Sequence, residues 1–275
     1  MGEARAVGAH HHRVIRMTTI DYLNVSIRGH ACELFVNGAP ILRTPLDAPY
    51  MATPTVSEWY VHGDNELSVR IDAIAQPPEV PDPLSPQRLV VQRCEGPLGA
   101  SVPAGEDVVR DELVFVPPAE PPALPLRLTH RFTATTGRVW AWEAAPVLRL
   151  DEGTVAELML FLEGLHADLQ DGEIDGLLAR QRIKLAELAP RYGSDPASVH
   201  VGMYNQFAEL SAAGAWSVAP LRPDDLELRL CCGGRLVEPR TRDGAPVLRG
   251  RGADATEWAM PMFIARIGGM FEIVR

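Results

Sequence analysis

A chain of 275 residues with 46% apolar and 23% charged positions has the composition of a folded globular protein, and it is longer than one hydrophobic core usually grows, so two domains are expected rather than wholesale disorder. The formal charge of −10 divides as about −4 over residues 1–150 (13 basic, 17 acidic) and about −6 over 151–275 (13 basic, 19 acidic). Neither half has the basic footprint of a nucleic-acid binder, and no stretch approaches the ~20 apolar residues of a membrane-spanning helix.

Lys184 is the only lysine and the other 25 basic positions are arginine, a bias that points to high-GC coding and a bacterial source. A phosphate-cradling or Schiff-base lysine would therefore have to be Lys184, which sits in IKLAEL without a glycine-rich loop ahead of it and is expected on a solvated helix face. Cys32, Cys94, Cys231 and Cys232 show no C-x-x-C spacing, so free structural thiols in a reducing cytoplasm are expected, with no metal and no cofactor. On a strand, the adjacent Cys231 and Cys232 would point to opposite faces, leaving only one of them buried.

Residues 1–16 have neither the apolar core of a signal peptide nor a myristoylation signal, and are expected to form a disordered tail in a cytoplasmic protein. His10, His11 and His12 on that tail are expected to be incidental, and Met17 is an alternative start. Residues 17–150 then read as an all-β sandwich. IDYLNVSI and ELFVNGAPIL supply the first strands, with Asn37-Gly38 as a hairpin turn. EWYVH and ELSVRIDAI are predicted to pair across a Gly63-Asp64-Asn65 turn, with Leu67, Val69 and Ile71 facing inward. RLVVQRC, DELVFV, PLRLTHRF and RVWAWEAAPVLRL continue the strand pattern, and the proline-rich stretches at 76–86 and 117–125 are expected to stiffen loops between strands.

At about Asp151 the hydrophobic period changes from two to between three and four. Val155, Leu158, Met159, Leu162, Leu165 and Leu169 mark a first helix, for which Thr154 and Glu157 suggest a capping box. EIDGLLARQRIKLAELAPRY reads as one second helix, and a third starts at the Asp195 cap with Pro196 in its first turn and ends at Gly214. Beyond Pro220 the period returns to two, with Leu226, Leu228, Leu230 and Cys232 on one face. Gly233-Gly234, Asp243-Gly244 and Gly268-Gly269 suggest a meander of four or five strands. Residues 151–275 thus form an α+β domain, helices packed on a curved antiparallel sheet.

The pair LFVNG and HGDNELSVRI resembles hairpins of galactose-binding-like β-sandwiches, which implies turn and core roles for these residues rather than sugar contacts. The helix break DLQDGEIDGLL and the closing hairpin FIARIGGMFEIVR resemble motifs of the nuclear-transport-factor-two-like superfamily, which includes ketosteroid-isomerase-like and polyketide-cyclase-like members. That resemblance implies a cystatin-like α+β cone over residues 151–275, with a pocket that serves catalysis, a ligand or a protein partner in different members.

The chain has no H-E-x-x-H, G-x-S-x-G or G-x-G-x-x-G. Glu163 and His166 have the E-x-x-H spacing of di-iron bundles, but a second such pair is absent and ordinary partners are expected for His166. An isomerase- or cyclase-like site would draw on His200, Tyr204, Asp225 and Glu257. A glycan-binding module would need Trp59, Tyr60, Trp140 or Trp142 exposed, whereas aromatics on strands usually belong to a core. The unusual charge feature is the run from Asp151 to Asp175, eight carboxylates with no lysine or arginine before Arg180. Glu157, Glu163, Asp168, Asp171, Glu173 and Asp175 within it are candidates for docking a basic protein partner, as in a toxin-neutralising immunity protein or an adaptor. The sequence reading is therefore a non-enzymatic binding protein, with a pocket enzyme and a glycan binder as alternatives.

Overall fold

The structure, a computed structural model, describes residues 19–46, 48–76, 87–99, 107–118, 120, 122–212, 216–252 and 256–275. The tail with His10, His11, His12 and Met17, nearly all of the 76–86 proline-rich stretch, and Gly214 lie outside the described residues. Among those described, fifteen strands form four antiparallel sheets beside four α-helices, a β-rich α+β protein.

Eight strands come first: β1 (Thr19–Arg28), β2 (His30–Val36), β3 (Ala39–Thr44), β4 (Tyr50–Ala52), β5 (Gly63–Ile74), β6 (Arg88–Pro97), β7 (Val108–Phe115) and β8 (Leu126–Ala134). They make two sheets in the orders β4-β1-β6-β7 and β3-β2-β5-β8. Alternate residues of both, Leu23, Val25 and Ile27 from β1, Leu34 and Val36 from β2, Leu67, Val69 and Ile71 from β5, Leu89 and Val91 from β6, meet in one apolar core, an arrangement compatible with a β-sandwich. Asn37 and Gly38 have φ of 51° and 81°, the left-handed pair that a two-residue hairpin between β2 and β3 requires.

The expected EWYVH strand is a correction. Ser57–Trp59 is a 3-10 turn and β5 begins at Gly63 itself. Two amides replace the strand pairing: Asn37 Nδ2 donates to Trp59 O (2.7 Å) and to Asn65 Oδ1 (2.8 Å), while Asn65 Nδ2 donates to Val61 O (2.9 Å) and Gly63 O (2.8 Å). RVWAWEAAPVLRL is likewise no strand. Its Ala141–Ala144 turn is held by Glu143, whose carboxylate accepts from the Trp140 N–H at 2.7 Å and so supplies locally what a neighbouring strand would have offered.

The helices are α1 (Glu152–Asp171), α2 (Ile174–Ala179), α3 (Arg182–Arg191) and α4 (Pro196–Ala212). Asp151, not Thr154, caps α1: its Oδ1 accepts from Thr154 N at 2.8 Å. Asp195 caps α4 as expected, accepting from Ser198 N at 2.9 Å. The single second helix is two, because the chain breaks at Arg180 and Gln181, where the Arg180 carbonyl accepts from Ile273 N at 3.1 Å instead of continuing the helix.

The closing strands are β9 (Ser217–Val218), β10 (Leu226–Cys231), β11 (Leu236–Thr241), β12 (Leu248–Arg251), β13 (Glu257–Met260), β14 (Ile264–Ile267) and β15 (Met270–Ile273). The expected meander is instead two sheets, β10-β11-β14-β15 and β13-β12-β9. Gly233-Gly234 and Gly268-Gly269 do join paired strands, but the Asp243-Gly244 turn closes only a bridge between Arg240 and Pro246, after which the chain changes sheet. Pro246 has no N–H to extend the ladder, and Arg43 Nη1 holds Gly244 O at 2.7 Å. Both Cys231 and Cys232 are buried, another correction: β10 ends at Cys231, and Cys232 turns away with φ 49°, so strand alternation no longer applies. Leu230 is the residue left exposed.

Leu158, Leu162, Leu165 and Leu169 of α1 pack with Val237, Leu248, Ile264 and Ile273 in a second core. The first core also crosses the chain's midpoint, for Cys231, Cys232, Leu236, Phe263, Ala265 and Val274 pack into it. Around this contact lies Glu33, 1% exposed. Arg43 Nε and Arg229 Nη1 each reach its Oε1 at 2.8 Å, Arg70 Nη2 reaches Oε2 at 3.3 Å, and Arg240 Nη1 stands 3.9 Å from Oε1. Arg229 also binds Glu238 at 2.7 Å and Arg240 binds Glu227 at 2.8 Å. On the α3 side, Arg275 binds Glu187 at 2.8 Å and stacks 4.5 Å over Trp140. Lys184, expected in solvent, is half-buried there; burial and the nearby Arg275 hold its ammonium below the usual lysine pKa, with Glu58 opposing them.

Two outcomes are expected. Glu33→Ala removes the buried carboxylate that joins Arg43 to Arg229, while Arg229, Arg240 and Arg70 keep Glu238, Glu227 and Asp72, and should cost about 1.5–3 kcal/mol, read from urea unfolding, whereas a loss below about 0.5 kcal/mol would show the cluster to be incidental. The four free cysteines are all buried, and burial raises the Cys32 thiol to about 11 and the Cys231 thiol to about 12. A thiol raised from its ordinary 9.0 adds stability below pH 9 that fades as pH climbs through the folded value. At pH 8 Ellman's reagent should therefore label no thiol until the protein unfolds, then all four.

Candidate functional site

The leucine stripe of α1 fixes which of its faces looks outward. Glu157, Leu160, Glu163, Ala167, Gln170 and Asp171 form an exposed stripe, with Leu160 68% exposed in its middle. Of the six predicted carboxylates, Glu163, Asp171, Glu173 and Asp175 are exposed and make no ion pair among the described residues. The other two are engaged within the chain: Glu157 Oε2 meets Arg266 Nη2 at 2.6 Å, and Asp168 Oδ2 meets Arg180 Nε at 3.2 Å. Both arginines also lie on aromatic faces, Arg266 4.5 Å over Phe271 and Arg180 5.3 Å over Phe161, which holds them in place as partners. The E-x-x-H pair does not converge, since His166 Nε2 lies 2.9 Å from Ala219 O while Glu163 faces solvent.

The four residues considered for catalysis are not gathered. His200 is half-buried and Tyr204 exposed on α4, and Glu257 is an exposed residue of β13 that pairs with Arg251 at 3.4 Å. Asp225 lines a cavity of about 270 Å³ with Leu221, Arg222, Leu226, Thr241, Val247 and Arg249; the other three are not on its wall. Two arginines, Arg222 and Arg249, share that wall, which is not the apolar surround of an isomerase base.

Trp59, Tyr60, Trp140 and Trp142 are all buried in the first core, although they lie in or beside 3-10 turns and not on the expected strands, and offer no exposed stacking platform to a glycan. Trp59 meets Phe263 edge-on at 4.8 Å, and Trp140 Nε1 donates to Tyr60 O at 3.0 Å. The sequence reading missed a further cleft of about 590 Å³ where the first sheet meets α3. Its arginines, Arg93, Arg110, Arg138 and Arg191, come from β6, β7, the segment after β8 and α3, so no local motif announces them. Comparison with family models, with curated proteins and with solved structures finds no match to this chain.

Because the Glu157–Arg266 and Asp168–Arg180 pairs keep contact with water, Glu157→Gln and Asp168→Asn should each change unfolding free energy by less than about 1 kcal/mol. A loss of about 3 kcal/mol in thermal or urea unfolding would show that these carboxylates serve the fold rather than the surface.

Proposed function

We propose that this chain is a non-enzymatic binding protein of the bacterial cytoplasm that presents the outer face of α1 and its turn into α2 to a basic protein partner, as an immunity protein or adaptor does. The observation that carries this reading is Leu160, 68% exposed between Glu157 and Glu163 on a face where Glu163, Asp171, Glu173 and Asp175 have no counter-charge among the described residues. An apolar anchor within a charged rim is the common anatomy of a protein interface. The carboxylates raise the encounter rate with a cation-rich partner and disfavour acidic competitors.

In this reading the chain is a β-sandwich followed by a cystatin-like cone of the nuclear-transport-factor-two-like kind, used for protein contact rather than catalysis. The shared core of α1 with β11, β12, β14 and β15 supports the helix-on-sheet part of that description. The isomerase- or cyclase-like alternative is supported only by the cavity beside Asp225.

The test begins with a partner captured from the host and then purified. Replacing Glu163, Asp171, Glu173 and Asp175 by their amides should slow association about tenfold or more at low salt. The difference should vanish near 1 M salt, where the screening length falls to about 3 Å. Leu160→Ser should speed dissociation. A partner bound equally fast and equally tightly by both variants would sink the proposal.

A further inference from the structure

We propose that the cleft between the first sheet and α3 is a binding site for a small organic anion, one carboxylate or phosphate group on a hydroxylated body such as a sugar acid or sugar phosphate. At about 590 Å³ it has the volume of a small-molecule site, and it lies where two parts of the fold meet, a common place for one.

The charge on its wall is unbalanced. Four arginines, Arg93, Arg110, Arg138 and Arg191, face two carboxylates, Asp21 and Glu95, in a protein whose overall formal charge is −10. Three of the arginines have carboxylates of their own: Arg191 reaches Asp21 Oδ2 at 3.4 Å, Arg110 reaches Glu95 at 2.8 Å, and Arg93 is tied to Asp111. Arg138 has none among the described residues. Its Nη1 donates to the Glu187 carbonyl, and its guanidinium stands 5.5 Å from the Trp140 ring centre, so it is positioned yet still carries an uncompensated charge. A planar guanidinium fixed in this way matches the oxygen pair of a carboxylate or phosphate.

A second observation is independent of charge. Tyr60 is 2% exposed and lines the cleft, and its hydroxyl, beside Arg93, has no well-formed hydrogen bond among the described residues. Buried hydroxyls are seldom left so, because each carries a desolvation cost that a partner would offset. Thr133 and Thr135 add exposed hydroxyls to the same wall and Pro190 adds apolar surface, a mixture that suits a polyhydroxylated body. The back wall is preorganised: Arg191 donates to Thr19 O at 2.8 Å and to Ser57 Oγ at 2.5 Å, joining α3 to β1 before any ligand arrives. This site shares no residue with the acidic face of α1 and α2, and either reading stands without the other.

The test titrates the full chain with glucuronate, glucose 6-phosphate, glucose and inorganic phosphate, following tryptophan fluorescence and heat of binding. At least one of the two organic anions should bind tenfold or more tightly than glucose and than inorganic phosphate, and which one does so separates a carboxylate ligand from a phosphate ligand. Arg138→Gln should lose tenfold or more of that affinity with little change in thermal midpoint. Tyr60→Phe, which removes the hydroxyl beside Arg93, should weaken binding several-fold with little change in thermal midpoint. The proposal is overturned if none of the four probes binds at millimolar concentration, if glucose or phosphate binds as tightly as both organic anions, or if Arg138→Gln binds unchanged.

Discussion

Burying a carboxylate as fully as Glu33 is tolerable only where cations surround it, and two of the arginines that do so come from the far half of the chain. Arg229 and Arg240 stand on β10 and β11, whereas Glu33, Arg43 and Arg70 stand on β2, β3 and β5. The β10–β11 hairpin must therefore lie against the β3-β2-β5-β8 sheet at one distance and in one orientation. Once it does, Cys231, Cys232 and Leu236 enter the first core and Arg43 meets the Gly244 carbonyl. Exchanging such a cluster for apolar side chains often leaves stability unchanged, so its main contribution is to specify which surfaces meet, with the apolar residues beneath it supplying the driving force.

That docking positions both surfaces to which binding is assigned. With the strands of the second part held against the first, α1 covers Val237, Leu248, Ile264 and Ile273 with its leucines and turns its carboxylates and Leu160 to water. On the other side α3 comes to rest over the ends of β1 and β6, where Arg191 closes onto Thr19 and Ser57, and the space left beside it is the arginine-lined cleft. One junction thus gives an exposed acidic face and, apart from it, a cleft with an unbalanced cation.

Features set by neighbours in sequence were legible before the structure. The Asn37-Gly38 turn, the inward Leu67, Val69 and Ile71, the leucine stripe of α1 and the Asp195 cap each depend on local backbone chemistry or on simple periodicity. What stayed hidden depends on partners far along the chain. The helix breaks at Arg180 because Ile273 donates to its carbonyl, the closing strands split into two sheets at a turn that Arg43 holds, and Lys184 is half-buried on α3 within the field of Arg275 and Glu58. The acidic run could be read directly, but not that Arg266 and Arg180 take up Glu157 and Asp168, and the cleft had no sequence signal because its arginines come from four separate segments.

The two halves form one cooperative unit, joined by a core and an ion cluster that neither half completes alone. Differential scanning calorimetry of the intact chain tests that cooperativity most directly. One endotherm whose calorimetric and van't Hoff enthalpies agree is the result this structure predicts. Two resolved transitions, or a calorimetric enthalpy well above the van't Hoff value, would contradict it and show that the halves fold independently.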